Sequence, residues 1–185
     1  ENQIYHSFTK TFGEEGNLIV IAFQDSNFYV QSKRKSWKDL NEKIEAFEEI
    51  NFVLSTENIL ELVKDNKKKS FVLDEVSKQF PIESKNPKKF KEKLFLELPF
   101  YKNLLFDEST NTIRSIIYMD PNIVNTAQRK DFIFNSFIPL INYYEQKTNS
   151  NIYVSGMPYI RTLNAQNIVD EIGLFVLGAT LITSL

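Results

Sequence analysis

The thirteen residues from Gly173 to Leu185, GLFVLGATLITSL, contain no charged side chain. The stretch before them, MPYIRTLNAQNIVDEI, puts Ala165, Ile168, Val169 and Ile172 on one side of a helix that Thr162 can cap. Asn164, Gln166, Asn167, Asp170 and Glu171 keep the other side polar, and past Glu171 that polar side disappears. A helix that is first amphipathic and then apolar all round fits a chain passing from water into lipid. The run from Ile172 to Leu185 is shorter than the roughly 20 residues needed to span a bilayer. A buried terminal helix or a dimerisation face fits the same pattern.

The remainder reads as one folded unit. Sixteen phenylalanines among 185 residues demand a core, which excludes disorder as a description of the whole chain. The formal net charge of -2 gives no global field toward nucleic acid or an anionic membrane. With no cysteine there are no disulfides and no thiolate metal sites. The opening ENQIYHSFTK has neither an initiator methionine nor an apolar leader core, and reads as the start of a fragment.

Two similar units are visible. Leu18 to Phe23 is almost continuously apolar and predicts a central strand covered on both faces. Trp37, Leu40, Ile44 and Phe47 recur at helical spacing, with Ser36 and Asp39 as an imperfect capping box. Phe52 to Ser55 gives a second strand, parallel to the first through a crossover. The second unit repeats the order. Thr112 to Met119 is a strand, and Ile133, Phe137, Ile141 and Tyr144 mark a helix that Pro139 should kink or divide. NIYVSG closes it as a strand ending at Gly156.

Between the units, residues from about 57 to 108 read as a mostly helical insertion. Asn86 and Pro87 start one of its helices, and the lysine runs Lys67 to Lys69 and Lys85 to Lys93 are solvated faces. The fold expected is α+β: a ferredoxin-like β-α-β-β-α-β sandwich over 17–156 with that insertion, and a junction with the start of a membrane helix over 157–185.

Most chemical constellations fail. His6 is the sole histidine and has no partner for a zinc site or triad. Gly13 and Gly16 flank Glu14 and Glu15, an acidic pair that repels phosphate. Asp25 and Asp120 end equivalent strands and are placed together at one sheet edge as a conceivable carboxylate pair, although an aspartate in a turn also bonds its own backbone. Phe23 and Tyr118 are too few aromatics for an RNA-binding sheet. Phe28, Tyr29, Trp37, Phe100, Tyr101, Tyr143 and Tyr144 are the candidate lining of a groove for an apolar ligand, with ordinary core as the alternative. No cofactor or metal is expected.

FGEEGNLIVIAFQDSNFY at Phe12 to Tyr29, with the Trp-bearing helix after it, resembles the start of the periplasmic portion of RND-superfamily exporters, in particular their MMPL-like branch. NIYVSGMPYIRTLNAQNIVDEIGLFVLGATLITSL at Asn151 to Leu185 resembles the run from such a porter domain into the second transmembrane helix. The resemblance leaves 57–108 uncovered. It implies a loop domain on the periplasmic side of a bacterial inner membrane, in a proton-driven exporter of small hydrophobic or amphipathic molecules or lipid. It implies no enzyme, no cofactor and no nucleic acid. Its partners are the rest of its own transmembrane chain and, left open, an adaptor protein. Gly156, Pro158, Arg161, Asp170 and Glu171 are then junction residues, and GLFVLGATLITSL is the beginning of a membrane helix.

Overall fold

A computed structural model of the chain describes residues 16–65, 69–83 and 87–184. His6, Gly13, Glu14, Glu15, Lys67, Lys68, Lys85, Asn86 and Leu185 lie outside the described residues, so the readings placed on them stay as sequence expectations.

β1 (Leu18–Gln24) and β6 (Thr112–Met119) pair antiparallel along their whole lengths, Leu18 opposite Tyr118 and Gln24 opposite Thr112. β2 (Ile50–Leu54) runs antiparallel to β6 on its other side, and β7 (Tyr153–Ser155) antiparallel to β1. β5 (Phe106–Asp107) also pairs with β6, at the end that β2 does not reach. The sheet order is β2-β6-β1-β7, in a mixed α+β chain. β1 and β2 are therefore parallel, as their crossover requires, with β6 between them.

Alternation along the strands decides which face is sealed. Ile19, Ile21 and Phe23 of β1 and Ile113, Ile117 and Met119 of β6 are buried. They share that core with Trp37, Leu40 and Ile44 of α1 (Gln31–Glu45) and with Ile133, Phe137, Ile141 and Tyr144 of the second crossover helix. The expectation of a doubly covered β1 is corrected: its position is central, but Leu18 is exposed and Val20 and Ala22 are half-buried on the other face. α1 starts at Gln31, so Ser36 lies inside it and forms no capping box. The reason is Arg34, a charged residue on the buried stripe with Trp37, Asn41 and Ile44. Phe47 falls beyond the helix end.

The second crossover is α4 (Ala127–Phe132), a wide π turn over Ile133–Phe137, and α5 (Ile138–Thr148). The π turn stands immediately before Pro139, whose ring collides with the carbonyl four residues back and whose missing N–H removes a helical bond. Widening the preceding turn lets the helix continue past it.

The insertion is not mostly helical. β3 (Leu60–Asp65) and β4 (Ser70–Glu75) form a separate antiparallel hairpin. The short α2 (Val76–Gln79) follows, then α3 (Pro87–Glu92), which runs into a π turn at Lys93–Glu97. Leu60 and Leu62 recur at the strand period, but with Ile59 and Val63 beside them the apolar spacing fits a helix as well.

Besides Ile59, Val76, Phe90 and Leu94, which enter the common core, a buried ion pair fastens this insertion to the domain. The Arg34 guanidinium donates from Nε to Glu57 Oε1 at 3.0 Å and from NH2 to Glu57 Oε2 at 2.8 Å, with both side chains buried. It also donates to the Phe80 carbonyl at 3.2 Å and lies 3.6 Å from the centroid of the Phe90 ring. Bidentate geometry and the ring face offset the desolvation of both charges. Arg34→Ala strands Glu57 in the interior and should lower unfolding free energy by about 3–5 kcal/mol, whereas Arg34→Met with Glu57→Leu should recover most of that loss; urea denaturation of the two variants checks it.

Candidate functional site

The two ends of the sheet, roughly 20 Å apart along seven residues of β1, carry different chemistry. At the Leu18 end the chain goes into β1 and comes out of β7 side by side. Gly156, at φ +119°, lies so close to β1 that a Cβ there would stand 2.1 Å from the Leu18 carbonyl oxygen. Gly16, at φ +118°, lies against the next residue: a Cβ there would stand 3.7 Å from that of Met157. α6 (Met157–Thr183) then departs from this end.

Only the first turns of α6 dock. Pro158 and Thr162 are buried, and Tyr159, Leu163 and Gln166 are half-buried. Thr162 does not cap the helix; inside it, its hydroxyl donates to the Pro158 carbonyl at 2.8 Å and accepts from Arg129 Nε at 3.1 Å. Arg129 also donates to the Val124 carbonyl, so it ties α4 to the junction. Arg161 is exposed, with no hydrogen bond or ion pair among the described residues. Sequence reading missed Arg129; its only signal was a basic residue in the first turn of the helix after β6. Asp170 accepts from Gln166 Nε2 at 2.8 Å along the helix, and Glu171 is exposed.

Beyond Gln166, α6 packs against no other element among the described residues. Ile168, Val169, Ile172, Leu174, Phe175, Val176, Leu177, Leu181 and Ile182 are all exposed. The helix is long and apolar enough to cross a membrane by length and composition. It spans about 40 Å at 1.5 Å per residue, against about 30 Å of hydrocarbon. A buried terminal helix is thereby corrected: among the described residues, no part of the apolar stretch packs into its own domain.

The opposite end holds a polar cleft of about 490 Å³ between the start of α1 and the end of α5. Gln24, Asp25, Lys33, Asn149, Asn151 and Tyr153 line it, and a neighbouring hollow adds Ser36, Tyr144 and Lys147. Asp25 pairs with Lys33 and accepts from the Asn27 backbone N–H at 2.8 Å. Asp120 makes the equivalent turn with Asn122, accepting at 2.9 Å from its backbone, but at the Leu18 end. Antiparallel pairing of β1 with β6 thus separates the two aspartates that sequence placed together. They form no carboxylate pair, and no cluster of metal-ligating side chains occurs among the described residues.

The seven aromatic residues do not share one groove. Phe28, Tyr29, Trp37 and Tyr144 are buried in the core, where Phe23 and Trp37 rings approach to 4.7 Å and Trp37 and Tyr144 to 6.1 Å. Tyr143 is exposed beside Lys43. Phe100 and Tyr101 alone reach an apolar hollow of about 370 Å³, completed by Leu60, Leu62, Leu73, Leu98 and Pro99. Tyr101 donates to the Leu60 carbonyl at 2.9 Å. Lys93 bridges Glu61 at 2.7 Å and Glu97 at 2.8 Å on the rim.

No protein-family model matches this chain, and no curated protein matches its sequence.

Two predictions follow from the geometry of these sites. Gly156→Ala drives a methyl into the Leu18 backbone at a φ that L residues avoid; it should break β7 from β1 and lower the melting temperature by many degrees. Gly173→Ala, with open space around it, should leave melting unchanged in the same calorimetric scan.

Alkaline titration tests the buried phenols. Burial, then the charges of Glu108 and Asp25 respectively, raise Tyr29 and Tyr144 well above their ordinary 10.0. Burial works to lower Lys93, but its bonds to Glu61 and Glu97 outweigh that and raise it above 10.5. All three hold their protons longer when folded, so their stabilisation is complete below the unfolded values and is lost as pH rises through the folded ones. Urea midpoints should fall steeply above pH 10, and Tyr29→Phe with Tyr144→Phe should flatten that fall.

Proposed function

We propose that this chain is an extracytoplasmic loop domain of a proton-driven membrane exporter, on the periplasmic side of a bacterial inner membrane. In this reading it binds or channels a small hydrophobic or amphipathic molecule. The observation that carries it is the junction. Gly16 lies against Met157, the residue after Gly156, and α6 leaves from that point as an apolar helix unaccompanied among the described residues. A domain with both its chain connections at one end can hang between membrane segments without crossing its own fold. The reading treats the sheet as ferredoxin-like, supported by the order β2-β6-β1-β7 and by two crossover helices packed on one face. Phe100, Tyr101 and the leucines beside them offer an apolar surface for such a molecule. The domain's work is conformational and non-catalytic: proton binding elsewhere in the chain shifts the balance between states in which these surfaces differ.

A second reading, a membrane-anchored protein-binding module, is favoured by the exposed apolar side chains on the β3–β4 hairpin. Both readings require lipid around α6. The full chain should float with phosphatidylcholine vesicles. Leu174→Asp with Leu177→Asp, each charge costing about 2.5–3.5 kcal/mol at the bilayer centre, should leave the protein in the aqueous fraction with unchanged circular dichroism. Wild-type chain that stays in water as a dispersed monomer would defeat both. Accumulation of a lipophilic dye in cells producing the gene's full product separates them: export lowers it, and a protonophore restores it.

A further inference from the structure

We infer that the β3–β4 hairpin is a self-association surface whose partner is a second copy of this chain. Register assigns Leu60, Leu62 and Lys64 of β3 and Glu75, Leu73 and Phe71 of β4 to one face. Leu60, Leu62, Phe71, Leu73 and the adjacent Phe100 are 41, 61, 66, 66 and 78% exposed, an unusual concentration of uncovered large apolar groups. A lone two-stranded hairpin is marginal in water, and little holds this one. Its base is buried at Ile59 and Val76, and Lys93–Glu61 and Tyr101–Leu60 tether one strand.

Charge selects the occupant. Lys64 stands at the tip of this face and Glu75 at its base, with only apolar residues between them. A two-fold axis in the plane of contact, across the strands, lays one hairpin antiparallel on another. The tip of each then meets the base of its partner, so Lys64 approaches the second copy's acidic end and Leu62 lies near its own symmetry mate. A two-fold along the strands instead brings the two lysine tips together, and is disfavoured. Glu75 contacts Lys78 at 3.2 Å, but this is an exposed surface pair of little strength and yields readily to a better one.

The area agrees. The five apolar side chains expose on the order of 600 Å². Two such faces bury about 1,200 Å², the lower edge of specific interfaces. That makes a weak pair in dilute solution, favoured when copies are held in one membrane. The second copy also roofs the hollow beside Phe100. None of this needs the exporter reading, because the surface lies on the hairpin and not on α6.

The chain has no cysteine, so Leu62→Cys gives a single crosslinking handle. In detergent micelles the full chain should sediment as a concentration-dependent dimer, and Leu62→Cys should crosslink to itself under mild oxidation. Lys64→Glu and Glu75→Lys should each weaken dimerisation about tenfold, and the two together in one chain should restore it. Circular dichroism of each variant establishes that the fold is kept. The proposal is overturned by a full chain that stays monomeric at every concentration, by a dimer that survives Leu62→Asp with Leu73→Asp, or by a double charge swap that fails to rescue a folded protein.

Discussion

Three residues of β7 carry the connection between the folded domain and α6. Val20, Ile21 and Ala22 of β1 pair with Ser155, Val154 and Tyr153, and Gly156 follows directly. Because β7 is so short, its hold on the sheet depends on the close approach that only a glycine permits at Gly156. That contact fixes where α6 starts and the direction in which it leaves. Arg129 then bonds Thr162 from the neighbouring helix and sets the first turns of α6 against the domain. Among the described residues the apolar remainder has no such restraint, and its orientation is inherited from ten residues at the junction.

The insertion joins the domain through a shared apolar core, and one buried ion pair sets its placement. An apolar contact tolerates sliding, while the fork of Arg34 on Glu57 accepts one geometry. The pair is therefore better understood as fixing the placement of Glu57, Phe80 and Phe90 than as adding net stability, since a well-packed apolar substitute is energetically comparable. Lys93 does the same for the hairpin by holding one carboxylate from β3 and one from its own helix. Lys38–Glu42, exposed along α1, has no comparable role.

Elements whose burial follows a simple period were legible in the sequence. β6 was read to its end residues because Ile113, Ile117 and Met119 alternate with less buried positions, and the mixed α+β class followed from two strand–helix–strand units. The start of α1 was not legible, because its buried stripe begins with an arginine whose partner is 23 residues away. The hairpin was missed because Ile59, Leu60, Leu62 and Val63 satisfy a helical and a strand period at once. For the site, single-chain spacing carries no information on distance across a sheet. Asp25 and Asp120 occupy equivalent positions in their units, yet neighbouring antiparallel strands put equivalent positions at opposite ends. The aromatic set failed for a related reason: residues grouped by type were divided by the fold among core, rim and surface.

The separation of the two ends has a mechanical consequence. β1 and β6 are hydrogen-bonded over their full lengths, so the sheet transmits displacement between the junction and the insertion without stretching. The hairpin is held at its base by Ile59 and Val76 and along β3 by Lys93 and Tyr101, whereas the docked turns of α6 are held through Thr162 and Arg129. Thr162 and Arg129 link the docked turns of α6 to α4, which runs on into the π turn ahead of Pro139. That turn, with its wider hydrogen bonding, interrupts the regular α-helical ladder of the crossover helix.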